Sequence, residues 1–240
     1  FLMEGVSYEG EDGASMEAKA FYAKLRSGAM PSTYQVTAEA AKAHFEKYLA
    51  AGKDILVIAF SSGLSGTEGS YRVAAKELKE AYPDRSIAVV DSLCASMGEA
   101  LFVDYVVKKA DSGATLQETA AYAEALKPYM CHYFTVDNLF HLKRGGRVSA
   151  ATAVVGSVLN IKPVLHVDDV GHLVPVSKTM GRKKSVLALM KYMEQLQTLE
   201  EGDPVFISHG DCIEDAEYLA ELVKERFPGH EIRINYIGPV

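Results

Sequence analysis

Residues 54–60, DILVIAF, form an unbroken apolar run that stops abruptly at a polar, glycine-bearing loop, SSGLSGT, and the following GTEGSYRVAAKELKEAY has helical spacing. This strand, loop and helix order is repeated by SIAVVDS at 86–92 and ASMGEALFVDYVVKKA at 95–110. A strand that is apolar on both faces must be covered on both, so two of them alternating with helices predict a parallel, doubly wound sheet. Thr115 with Glu118 spells a capping box for TLQETAAYAEAL, which closes before Pro128. A first lobe is placed at 1–128 and a second at 129–240.

Upstream, MEAKAFYAKL reads as an amphipathic helix capped by Ser15, and TAEAAKAHFEKYLAAG as a second helix starting at Thr37, with PST as a loop between them. Past residue 128 the rhythm changes. CHYFTVD, KPVLHVDD and HLVPVSK read as strands, the last two joined by a short turn at Val170 and Gly171, which predicts antiparallel pairing. GRKKSVLALMKYMEQLQ and DCIEDAEYLAELVKERF read as helices around a further strand, PVFISHG, and EIRINYI closes the chain. The expected architecture is α/β: an N-terminal doubly wound, mostly parallel sheet and a C-terminal α+β lobe with a mixed or antiparallel sheet.

Hydrophobic residues make up 48% of the 240 and charged residues 24%, the profile of a folded globular chain. Its formal charge of −7 argues against nucleic acid or anionic lipid surfaces as partners, so anion binding has to be local. The apolar runs fall short of the ~20 residues of a membrane span. Cys94, Cys131 and Cys212 lack CxxC spacing, which predicts core fillers in a reducing cytoplasm rather than disulfides or zinc. The seven histidines show no HExxH or HxH pattern, so no metal is expected, and His209 in ISHGD reads as structural.

The SSGLSGT loop stands where open α/β sheets bind ligands. Gly63 and Gly66 allow close backbone approach, and Ser62 and Ser65 offer hydroxyls beside the positive end of the next helix. A carboxylate or phosphate is the implied ligand; helix capping alone is the competing account. The loop reads GLSG rather than GxSxG, and no GK[ST] follows, so neither a serine-hydrolase elbow nor a P-loop is spelled out.

With PSTYQVT upstream, DSLCAS at 91–96 and LKRGGRVSAATAVVGSVLNIKPVL downstream, the chain resembles the DegV family from about Gly28 to Val240. That resemblance implies a two-lobed protein that binds a long-chain fatty acid between its lobes, and in many members the fatty-acid-binding subunit of a bacterial fatty-acid kinase. It maps carboxylate contacts onto Thr33 and Ser65, with Tyr34 standing where the family has serine. The family's opening strand with its Asp-Ser turn and its closing HTGPG string are not in this sequence, and truncation is the expected reason. As plain residues the small, apolar stretch SAATAVVGSVLN reads as a slender helix packed tightly on the sheet; the resemblance instead implies that it borders an acyl pocket lined by Val154, Val155, Val158, Leu159 and Ile161. Lys143, Arg144, Arg147 and Arg182 are implied to dock the kinase catalytic subunit; as plain residues they also read as a solvated basic surface. Three functions follow as expectations: a fatty-acid carrier without catalysis or cofactor of its own, an esterase or acyltransferase using Ser65, or a module for a small phosphorylated metabolite. Only the first needs a long dry tunnel.

Overall fold

The computed structural model describes residues 1–8, 16–149 and 160–238. By packing, the chain forms two units: one of residues 1–34, 133–166 and 173–240, the other of 35–132 and 167–172. The boundary read at residue 128 falls in a 3-10 turn, Lys127–Tyr129, shortly before the chain changes unit. Residues 1–34, read with the first lobe, pack with the later strands and helices.

In the unit holding 35–132, strands β3 (Ile55–Ala59) and β4 (Ile87–Asp91) pair in parallel, with Ile55 opposite Ile87 and Ala59 opposite Asp91. Successive side chains of a strand face opposite ways. Ile55 and Val57 accordingly join α2 (Ala38–Ala50) and α3 (Thr67–Ala81) in a core of Ala41, Phe45, Leu49, Ala74 and Leu78. Leu56 and Ile58 face α4 (Ser96–Asp111) and α5 (Leu116–Leu126), whose Phe102, Val106 and Ala123 are buried with Val90 and Cys94. Helices on both faces make this the doubly wound arrangement expected from two all-apolar runs. Thr37 caps α2 by accepting from the Ala40 amide, and Thr115 and Glu118 close the capping box of α5. Each fully buried side chain of the class of Leu78 or Phe102 contributes about 1.5–3 kcal/mol.

The other unit opens with a two-residue hairpin, β1 (Leu2–Met3) and β2 (Val6–Ser7), which the sequence reading did not anticipate. Leu2 bridges Ser32, and Phe1, Met3 and Phe21 of α1 (Ala18–Arg26) share a small core. Ser15 lies outside the described residues, and the N-cap position of α1 is Glu17, whose side chain makes no capping bond. A sheet of order β5-β6-β7 joins Tyr133–Thr135, Ile161–Val167 and Leu173–Met180. β5 is antiparallel to β6, and bonds from Asp168 N to His172 O and from Gly181 N to Asn160 O close β6 and β7 as an antiparallel hairpin. Between β5 and β6 lies a short helix, α6 (Phe140–Arg144). α7 (Arg182–Leu196) follows, then β8 (Val205–His209), α8 (Ile213–Arg226) and β9 (Ile232–Tyr236), with β8 and β9 parallel. The α+β reading with a mixed strand arrangement describes this set.

Among the described residues no helix is long and apolar enough to cross a membrane. The cysteines divide: Cys94 is buried, as expected of a core filler, whereas Cys131, in the link between the 3-10 turn and β5, and Cys212, at the N-cap of α8, are exposed.

Candidate functional site

The loop after β3 is built largely from its own hydrogen bonds. Ser61 is fully buried, accepts from Gly63 N at 3.2 Å and donates to Gly171 O at 2.8 Å, while the Leu64 and Ser65 amides donate to Ser61 O. Asp91, at the end of β4, accepts from the Ser62 and Leu93 amides through Oδ1 at 3.2 and 3.1 Å. Ser92 donates to Ala59 O, accepts from Cys94 N, and Cys94 O receives the Ser61 amide. The two strand-end loops are thus stitched into one ledge, and the amides of Ser62 and Gly63 are already engaged.

Past that ledge the hydroxyls of Ser65 and Thr67 lie 3.0 Å apart, Ser65 Oγ accepts from Thr67 N at 3.3 Å, and Thr67 Oγ1 accepts from Val36 N at 3.2 Å. Two hydroxyl protons serve one bond between these oxygens, so one proton remains to be donated outward. Thr67 is buried and Ser65 only partly so, which makes Ser65 the donor that an arriving anion meets when Thr67 donates inward. Among the described residues the amides of Gly66, Glu68 and Gly69 have no protein acceptor. They lie in the first turn of a 15-residue helix, where the backbone dipole favours negative charge. The arrangement supplies neutral donors to an oxyanion. The hydroxyl of Ser65 meets Thr67 rather than an imidazole or carboxylate, so it lacks the activated geometry of a serine nucleophile.

Of the two loop glycines, Gly63 is required sterically, because it meets backbone, whereas Gly66 meets only the end of a flexible side chain. A Cβ on Gly63 would sit 2.7 Å from Gly171 C and 2.8 Å from Val170 O, and one on Gly66 would meet the Gln35 carboxamide, whose Nε2 reaches Ser70 Oγ at 3.4 Å. Gln35, and the contacts that tie Ser61 to Gly171 and Asp91 to the Ser62 amide, were not read from the sequence. Their signal is contact across long separations, which no local pattern encodes.

Thr33 is exposed, one residue past the Ser32 bridge, and belongs to the unit of residues 1–34; Ser65 belongs to the other. Val154, Val155, Val158 and Leu159 lie outside the described residues, and Ile161 opens β6 partly buried. Lys143 and Arg144 end α6 exposed to solvent, and Arg147 donates to Gly145 O. Arg182 is differently employed: it donates to Asp137 Oδ1 at 2.6 Å and to Thr135 and Ser185 hydroxyls at 3.3 Å, with Asp215 at 3.5 Å. Lys162 joins Asp137 at 2.8 Å, and these partners hold the Asp137 carboxyl below its ordinary value. His209 is buried, accepts from Cys212 N and packs 4.3 Å from the Tyr236 ring, as a structural histidine should.

Burial displaces several titratable groups in the unit of the loop. Burial lifts the Glu99 carboxyl to about 7 and the Cys94 thiol to about 12, and Glu99 adds to the upward shifts of both Cys94 and Tyr71. His132 is pushed down to about 4 by burial; its Nε2 finds no partner among the described residues, and its ring lies directly over Gly98. No group of histidines, cysteines and carboxylates suited to a metal occurs among the described residues.

The family model described as "Uncharacterised protein, DegV family" matches residues 2–240. The chain belongs to the DegV family. A DegV domain-containing protein of Clostridium perfringens is 46% identical over 227 residues, covering 95% of this chain and 78% of that one. Among solved structures, a DegV family protein of Thermus thermophilus described as fatty-acid-binding is 26% identical, with a TM-score of 0.83 over 98% of this chain and 82% of its own. The Streptococcus pneumoniae fatty acid kinase B3 protein, loaded with linoleic acid, shares the DegV fold at 23% identity and a TM-score of 0.79, covering 93% of this chain and 78% of its own.

Proposed function

We propose that this DegV protein is a carrier of long-chain fatty acids, holding the carboxylate at Ser65 and Thr33 while the acyl tail is buried. The observation that carries the reading is the similarity, across 98% of the chain, to a Thermus protein described as fatty-acid-binding. The donor chemistry of the loop agrees with it: a leftover hydroxyl proton at Ser65 and first-turn amides suit a carboxylate, and a neutral cradle leaves that group open to later reaction. The tail is assigned to the small, apolar segment holding Val154, Val155, Val158 and Leu159, with Ile161 at its edge. At roughly 0.8 kcal/mol per buried methylene the tail dominates affinity and the head group sets orientation.

In this reading the protein is not itself a catalyst. It presents the carboxylate to a separate ATP-dependent kinase, as the likeness to the pneumococcal kinase B3 protein supports, and the exposed Lys143 and Arg144 with the half-buried Arg147 form the docking surface. Arg182, committed to Asp137 and Asp215, serves that surface by fixing the fold beside it rather than by contact. Calorimetric titration of wild type and Ser65→Ala with oleate tests the carrier reading. Loss of the hydroxyl should cost about 1.5–3 kcal/mol of binding, the range for a bond to a charged group. Equal affinities would remove Ser65 from the site.

A further inference from the structure

The tip of the β6–β7 hairpin, residues 167–172, packs in the same unit as the Ser61–Thr67 loop. Ser61 is its point of attachment. The buried hydroxyl relays Gly63 N–H to Ser61 Oγ–H to Gly171 O, so each bond polarises the next. Contact is too close for any side chain: a Cβ on Gly171 would lie 2.0 Å from Ser61 Oγ, and one on Gly63 2.7 Å from Gly171 O. Gly171 also adopts φ +80, a conformation that glycine enters without strain. The tip is itself braced, since Asp168 Oδ1 accepts from Val170 N at 3.1 Å and His172 N at 2.8 Å, and Gly171 N donates to Asp168 O at 2.9 Å. The backbone from Ser61 to Ser65 is therefore braced against a hydrogen-bonded turn more than 100 residues away in sequence.

Resting on the carrier reading above, we propose that this hairpin tip is the positioning element of the carboxylate-binding loop, with Ser61, Gly171 and Asp168 acting through Ser65. A loop already held in its binding geometry loses less conformational freedom when the ligand arrives. Ser61 and the tip need not touch the fatty acid for this to hold.

The test is an oleate titration of Ser61→Ala, Asp168→Ala and Asp168→Asn, each made in wild type and in Ser65→Ala. Ser61→Ala and Asp168→Ala should weaken binding by about 3- to 30-fold, within the range of coupling between neighbouring residues, and in the Ser65→Ala background by less than about twofold. Asp168→Asn keeps an acceptor for both amides and should bind like wild type. The Asp168 pair carries the test if Ser61→Ala does not fold. Wild-type affinity in Ser61→Ala and Asp168→Ala, with Ser65→Ala impaired, overturns the positioning role and leaves the carrier reading standing. Equal losses in both backgrounds also overturn it, since the tip then acts on stability or on another contact. Absence of oleate binding by wild type removes the carrier reading and this inference together.

Discussion

Glu99 and His132 give the same unit opposite pH dependences, and Glu99→Gln should uncover the one that the other conceals. Burial raises the Glu99 carboxyl from 4.5 to about 7, so the folded chain holds this proton more tightly than the unfolded one. Its contribution is present below pH 4.5 and is lost as pH climbs towards 7. His132 is lowered from 6.5 to about 4, so the unfolded chain takes the proton first; its contribution is present above 6.5 and is lost as pH falls towards 4. Between 4.5 and 6.5 the two slopes oppose each other. At about 1.4 kcal/mol per pH unit for one proton, each amounts to at most about 2.7 kcal/mol over that window. Relative to wild type, in which the two slopes offset each other, the variant should gain about 2–3 kcal/mol from pH 4.5 to 6.5. Above pH 7 the variant should be the more stable protein by about 2–3 kcal/mol. Asp137, Asp211 and Glu118 are all lowered, so they act below this window, and His141 is common to both proteins. Urea unfolding followed by circular dichroism, at several pH values across and above the window, measures the difference. Parallel pH profiles for the two proteins would refute burial of Glu99 as the cause.

Two further outcomes follow from the loop and the basic turn. Gly63→Ala must displace the Gly171 backbone from 2.7 Å, so it should lower stability by about 1–3 kcal/mol, read from the urea midpoint; an unchanged midpoint would mean that the tip yields freely. Arg144→Ala and Arg147→Ala should leave oleate affinity intact while slowing acyl-phosphate formation with the cognate kinase. The wild-type rate should also fall with ionic strength in a coupled assay, and unchanged transfer would return these residues to a solvated turn.

The doubly wound unit was readable because its signals are local. Ile55–Ala59 and Ile87–Asp91 are apolar on both faces, Thr37 and Thr115 cap where their side chains indicate, and the polar glycine loop follows the strand that positions it. The short hairpin of Leu2–Met3 with Val6–Ser7 was missed because two-residue strands carry no period, and α6 because Phe140–Arg144 is barely more than one turn. The same limit hid the ledge: Ser61 and Gly171 stand 110 residues apart, and nothing in either neighbourhood announces the other. Arg182 read as one of a surface cluster because GRKK shows three cations, while Asp137 and Asp215, which engage it, lie far off in sequence. Charge partners of this kind belong to the tertiary structure alone.

The carrier reading is tested most directly by denaturing mass spectrometry of lipid extracted from the protein purified from bacteria without added fatty acid. A long-chain fatty acid should be released in up to equimolar amount from wild type and in reduced amount from Ser65→Ala. An extract free of fatty acid, together with a melting temperature that palmitate and oleate leave unmoved, would contradict it.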